Sequence, residues 1–223
     1  TADTNISSYP GEEELNYGAS SRLRLKGIQM MALMDFDTTP IKRWKVTSAV
    51  IHFKYAGADR KLRTLGFSTV AAPWAEGTGT GEKKPGEVSF AWQKTGSSRW
   101  AGPQTDFTDV TFTSGHTIAS YADIHPDADG WISARVDPRI VQCMALGLSY
   151  GLAVTDEKGQ TMANNDLYSR EQSNAKPYLT VTGETDHSAD PKIERVAIQS
   201  MPSAAGPNTG AVKVTFAGSE SAF

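Results

Sequence analysis

One cysteine, Cys143, stands in 223 residues. It excludes an intramolecular disulfide and a cysteine-rich zinc site, and it says little about compartment. No apolar run approaches the roughly 18 residues of a membrane helix. The histidines (His52, His116, His125 and His187) are scattered, so no clustered-histidine metal chemistry is read. The net charge is only −3, which argues against whole-molecule attraction to nucleic acid. Two carboxylates flanking a bond, as a glycosidase needs, do not show in the pattern, nor does a nucleophile elbow. The start, Thr1-Ala2-Asp3, is polar, so no signal peptide is read, and the chain is expected to be a processed form or a fragment.

What is there is alternation. After the turn-forming Asn16-Tyr17-Gly18, the run Arg22-Leu23-Arg24-Leu25-Lys26 puts leucines on one side of a strand and three cations on the other. Val46–Tyr55 alternates again, with Ile51, Phe53 and Tyr55 on one side and His52 and Lys54 on the other. Trp131–Val136 directs Ile132, Ala134 and Val136 inward and Ser133 and Arg135 outward. Further strands are expected at Thr4–Ser7, Met30–Asp37, Arg60–Val70, Tyr150–Thr155, Asp166–Glu171 and Pro177–Thr182. Asp137-Pro138 reads as the start of one short helix, with Ile140, Val141 and Met144 as its apolar stripe and Gly147 as its stop. Short strands punctuated by turns, without sustained helical periodicity, predict an all-β sandwich or barrel.

Two regions break this rhythm. Trp74–Asp109 is a long glycine-rich excursion, expected to be a mobile loop, that lacks a phosphate-binding pattern. Its Trp74, Trp92 and Trp100 either stack on sugar rings or anchor the loop to the body, and anchoring is the commoner use. Residues 184–192 read as a polar linker. Residues 193–223 are too few for a sandwich of their own and read as the opening of an immunoglobulin-like domain or a docked appendage.

Several short motifs occur in order: Ala2-Asp3-Thr4, Asn16-Tyr17-Gly18-Ala19-Ser20-Ser21, Asp35-Phe36-Asp37 and Val46-Thr47-Ser48-Ala49. They continue with Trp74-Ala75-Glu76-Gly77, Tyr150-Gly151-Leu152, Tyr168-Ser169-Arg170-Glu171 and Pro177-Tyr178-Leu179. Over residues 2–182 this order resembles the DNRLRE, or disaggregatase-related, family of secreted β-sandwich modules. The resemblance implies a jelly roll over residues 1–183, carried in a larger extracellular bacterial or archaeal protein. It also implies sugar binding, since some relatives hold alginate on a basic concave sheet. The excursion at Trp74–Asp109 is longer and richer in glycine than the family pattern.

Between Ser21 and Leu65 stand ten Lys and Arg against three acids, a local excess on an acidic chain that points to a confined anionic ligand. The candidate carbohydrate-binding residues are Arg22, Arg24, Lys26, His52, Lys54, Arg63, Arg135 and Arg170. Arg grips a carboxylate through paired hydrogen bonds and Lys acts as a point charge, so a uronate or sulfated glycan fits them. The ordinary alternative is that each cation pairs with an acid on an adjacent strand. An architectural module of a multidomain surface protein is a second alternative. A polysaccharide lyase using His52, Tyr168 and Arg170 is a third. Asp123, Asp127 and Asp129, and Asp156, Asn164, Asn165 and Asp166, offer hard oxygen ligands for calcium. Neither group has EF-hand spacing and Asx-rich turns use the same residues, so no cofactor is expected.

Overall fold

The computed structural model describes residues 2–58, 60–112, 117–158, 161 and 163–185. The chain divides into two units, Thr1–Thr185 and Asp186–Phe223. The second, with the expected immunoglobulin-like segment and most of the expected linker, lies outside the described residues.

The first unit is built from antiparallel strands with a single short helix among the described residues. In chain order the strands are β1 (Ala2–Ser7), β2 (Leu15–Asn16), β3 (Arg22–Leu25), β4 (Met30–Asp35) and β5 (Trp44–Lys54). They continue as β6 (Thr64–Thr69), β7 (Glu82–Lys83), β8 (Ala119–Asp123), β9 (His125–Pro126) and β10 (Trp131–Val136). After α1 (Pro138–Ala145) come β11 (Leu152–Thr155), β12 (Asn165–Tyr168) and β13 (Tyr178–Thr185). A five-stranded sheet has the order β1-β4-β11-β6-β8 and a four-stranded sheet the order β13-β5-β10-β9. β3 pairs with β12 and β2 with β7 as separate ladders. Glu184 and Thr185, expected in the linker, are strand residues opposite Lys45 and Trp44.

The two larger sheets share one apolar core, a β-sandwich-like arrangement. Ala49, Ile51, Phe53, Ile132, Ala134 and Val136 from one sheet pack with Ala32, Met34, Leu65, Phe67, Leu152 and Val154 from the other. The helix covers part of this core through Ile140, Val141 and Met144. It starts as expected, with the Asp137 side chain accepting from the Arg139 N–H, and Gly147 follows it at φ +72. No helix among the described residues is long and apolar enough to cross a membrane.

A second core decides which surface remains open. Ile6, Met31, Leu33 and Ala153 leave the opposite side of the five-stranded sheet and meet Val88, Phe90, Trp100, Phe107 and Val110 from the glycine-rich excursion. The excursion is thus a cover laid over that sheet, not the mobile loop its glycines suggested. Trp100 is 4% exposed and its indole N–H donates to the Ser89 and Phe90 carbonyls. Trp92 donates to Glu14 and lies under the Arg99 guanidinium, and Trp74 donates to the Tyr150 carbonyl. All three tryptophans anchor the cover to the body.

The cover is tied down at Asn16, which is fully buried. Its amide donates to the Glu76 and Val88 carbonyls at 2.8 and 2.9 Å and its oxygen accepts from the Gly18 and Gly79 N–H at 3.0 and 2.7 Å. The chain wraps this side chain too closely for a Cβ: one on Gly79 would lie 2.5 Å from the Asn16 carbonyl oxygen. Gly77 is equally confined and adopts φ +83.

Candidate functional site

Among the described residues, no second core covers the outward side of the four-stranded sheet, and this is the open surface. Pleat alternation places Ser48, Val50, His52 and Lys54 of β5 there, with Trp131, Ser133 and Arg135 of β10 and Tyr178, Thr180 and Thr182 of β13. In register, Ser133 and Tyr178 flank His52 on its two sides, and Trp131 lies opposite Lys54. His125 of β9 lies opposite Ser133.

The eight candidate residues fall into distinct settings. His52, Lys54 and Arg135 share this face. Neither Lys54 nor Arg135 forms an ion pair with a described residue. Arg135 lies four positions along β10 from the partner of Lys54, about 13 Å at the rise of a strand. It also borders a groove of about 390 Å³ lined by Ser48, Ser120, Tyr121 and Asp137. His52 shares the face but not the expected charge, since burial pushes its imidazole below its ordinary range and leaves it neutral at pH 7.

Arg22 and Arg24 stand on the short β3–β12 ladder, which joins the end of β5 through the bridge between Tyr55 and Leu167. Opposite Arg24 in register is Asp166. Its carboxylate takes Arg24 in a bidentate grip at 2.7 and 3.1 Å and reaches Arg22 at 3.4 Å. The side chain of Asn5 holds the Arg24 N–H and carbonyl as a neighbouring strand would, at 2.8 and 2.6 Å. Arg24 is therefore a cross-strand structural pair, the ordinary alternative weighed for these cations.

Lys26 sits in the turn between β3 and β4, in an isolated bridge to Met30. Arg63 is exposed at the entrance to β6, in the five-stranded sheet. Arg170 lies beyond the end of β12, and Glu76 grips its guanidinium at 2.6 Å through both oxygens. The trio named for a lyase is engaged as follows. His52 stacks on Tyr178, Tyr168 faces Arg22, and the Arg170 guanidinium is occupied.

Beneath the Arg170–Glu76 pair lies Asp3, 2% exposed. Its Oδ2 accepts from the Arg170 N–H at 2.8 Å, its Oδ1 has no partner among the described residues, and its own N–H donates to Glu76 at 2.6 Å. Burial, reinforced by the Glu76 charge and opposed by the Arg170 N–H, pushes the Asp3 carboxyl up to about 7.

The aspartates considered for calcium hold backbone and side chains. Asp127 accepts from the Asp129 and Trp131 N–H, Asp123 accepts from the Thr64 hydroxyl, and Asp166 is taken by Arg24. Thr161 bridges Asp156 and Asn165, accepting from the asparagine and donating to the aspartate. No group of three or more His, Cys, Asp or Glu suited to a metal occurs among the described residues. His116 and His187 lie outside those residues. Burial pushes the Cys143 thiol up, away from the reactive thiolate.

No protein-family model matches the chain, and no curated protein matches it.

The aromatic residues of this face were absent from the candidate list. The signal was in the pattern: the alternation that sends Ile132, Ala134 and Val136 inward sends Trp131 outward.

Proposed function

We propose that this protein is a non-catalytic, extracellular module that binds an acidic polysaccharide, uronate-bearing or sulfated, on the open face of the four-stranded sheet. The observation that carries the reading is the pairing of openness with unneutralised charge. One sheet is covered by a second core, while the other exposes Lys54 and Arg135 without acidic partners among the described residues. Arg22, 55% exposed at its side chain and only grazing Asp166, adds charge on the neighbouring ladder. The ordered motifs over residues 2–182 support a jelly roll of the DNRLRE type, and with it secretion or display at a cell surface within a larger parent protein.

Each exposed contact of this kind is worth under about 1 kcal/mol, so affinity comes from several sugars engaging at once. Affinity electrophoresis tests this in gels carrying alginate, pectate, chondroitin sulfate or a neutral glucan. Retention is expected in the acidic gels only, and it weakens steeply toward 1 M salt, where the screening length falls to about 3 Å. The Lys54→Ala, Arg135→Ala double variant is expected to weaken retention by about ten-fold. Arg24→Ala is expected to leave retention unchanged and instead to cost about 1 kcal/mol of stability, because Asp166 loses its main partner. No retention in any gel would favour an architectural module, and unsaturated uronate products would favour a lyase.

A further inference from the structure

The rings on the open face form one array. Tyr178 and His52, opposite each other on β13 and β5, stack with centroids 4.2 Å apart and planes 7° from parallel. Trp131, on the other flank of β5, reaches across the strand to meet Tyr178 at 5.5 Å and 65°. The Lys54 ammonium stands 5.8 Å from the Trp131 ring centre. The Thr180 hydroxyl lies 3.1 Å from His52 Nε2, which fixes the tilt of the imidazole.

The array leaves Tyr178 48% exposed, like Tyr9, Tyr121 and Tyr150 and unlike the fully buried Phe53, Phe67 and Phe107. A core role does not explain it, because this side of the sheet faces away from both cores. What remains is a rigid π surface, uncharged at His52, with hydroxyls at Ser133 and Thr180 and a cation at Lys54. That combination matches a sugar ring carrying an acid: an apolar C–H face lies against aromatic rings, hydroxyls reach polar neighbours, and the carboxylate or sulfate meets the ammonium. An apolar protein partner fits less well, since the array is bordered by hydroxyls and a charge and not by aliphatic side chains.

We propose that Tyr178 and Trp131, braced by His52, form a ring-stacking subsite for a pyranose unit of the acidic polysaccharide, with Lys54 positioned for that unit's acid group. This rests on the reading of the same face as a glycan site and adds a salt-resistant component that the cations alone do not supply. Stacking contributes through dispersion and desolvation, which ionic strength screens little, whereas the contacts of Lys54 and Arg135 fade as salt rises.

The test is the affinity for a uronate oligosaccharide across a salt series, with thermal unfolding of each variant as a control. Tyr178→Ala is expected to weaken binding by about ten-fold at every salt concentration, with an unchanged salt slope. Lys54→Ala is expected to flatten that slope. Because Tyr178 lies on an edge strand that the substitution could loosen, tryptophan emission of the unaltered protein gives a second readout. Added oligosaccharide should change the emission, and Trp131→Phe should abolish that change. If the oligosaccharide binds but Tyr178→Ala and Trp131→Phe both bind as the parent does, the stacking subsite is wrong and the charged face stands. If the parent protein binds no acidic oligosaccharide at any salt, both are wrong.

Discussion

Asp3→Asn is expected to stabilise the folded domain, by an amount that grows from near zero at pH 4 to about 2–4 kcal/mol at pH 8. In the fold Asp3 titrates at about 7, while in an unfolded chain it would titrate near the ordinary aspartate value of 3.8. Between those values the native state holds a proton that the unfolded state has released, so stability falls as pH rises through this window. Above 7 both states are ionised, and the whole cost of a buried carboxylate beside Glu76 is present. Asparagine keeps the oxygen that accepts from the Arg170 N–H and removes the charge. Its amide N–H group inherits the place of an oxygen that has no partner among the described residues, and this trims the gain. Urea unfolding of both proteins at pH 5, 6, 7 and 8 checks the point. Curves that diverge steadily with pH are expected, and parallel curves would show that Asp3 is ionised in the fold at no such cost.

Asn16→Asp is expected to do the reverse, lowering stability by about 3–5 kcal/mol although it replaces one nitrogen with one oxygen. The Asn16 amide donates to two carbonyls, those of Glu76 and Val88, at a site with no exposure. An aspartate there turns both donor bonds into oxygen facing oxygen, and either buries a charge or takes up a proton to rescue one of them. Glu76 also grips Arg170 and the Asp3 N–H, so the damage is expected to spread from the cover to the edge of β1. The measurement is the urea midpoint at pH 7. A change below about 1 kcal/mol would mean that the cover is held mainly by Phe90, Trp100 and Phe107 and that Asn16 is incidental.

Much of the fold follows from local patterns because those patterns act locally. The strand at Trp131–Val136 and the capped helix after Asp137 are set by alternation and by an N-cap within a few residues. Side-chain parity correctly turned Lys54 and Arg135 away from the core. Parity says nothing, however, about which sheet a strand joins or which acid waits opposite. Asp166 is 142 residues from Arg24 in sequence, and Glu76 is 94 from Arg170. For that reason the eight-residue set brought together cations gripped by acids, such as Arg24 and Arg170, with Lys54 and Arg135, which form no ion pair among the described residues. One overlooked signal was present in Met30–Asp35, which reads MMALMD without alternation and is buried on both sides. Two-sided burial demands a second layer, and the Trp74–Asp109 excursion supplies it. The glycines of that segment suggested a mobile loop and its tryptophans an anchor to the body; the tryptophans do anchor it, and the glycines serve close packing round Asn16.

The account depends most on where an acidic glycan would touch the molecule. Titrating isotope-labelled protein with a uronate oligosaccharide and following backbone amide resonances locates that contact directly. Shifts are expected to cluster on His52, Lys54, Ser133, Arg135, Tyr178 and Thr180, to shrink as salt rises in the parent protein and to be smaller at low salt in the Lys54→Ala, Arg135→Ala variant. Shifts centred instead on Arg24, Arg63 or Arg170, with the four-stranded face silent, would contradict it.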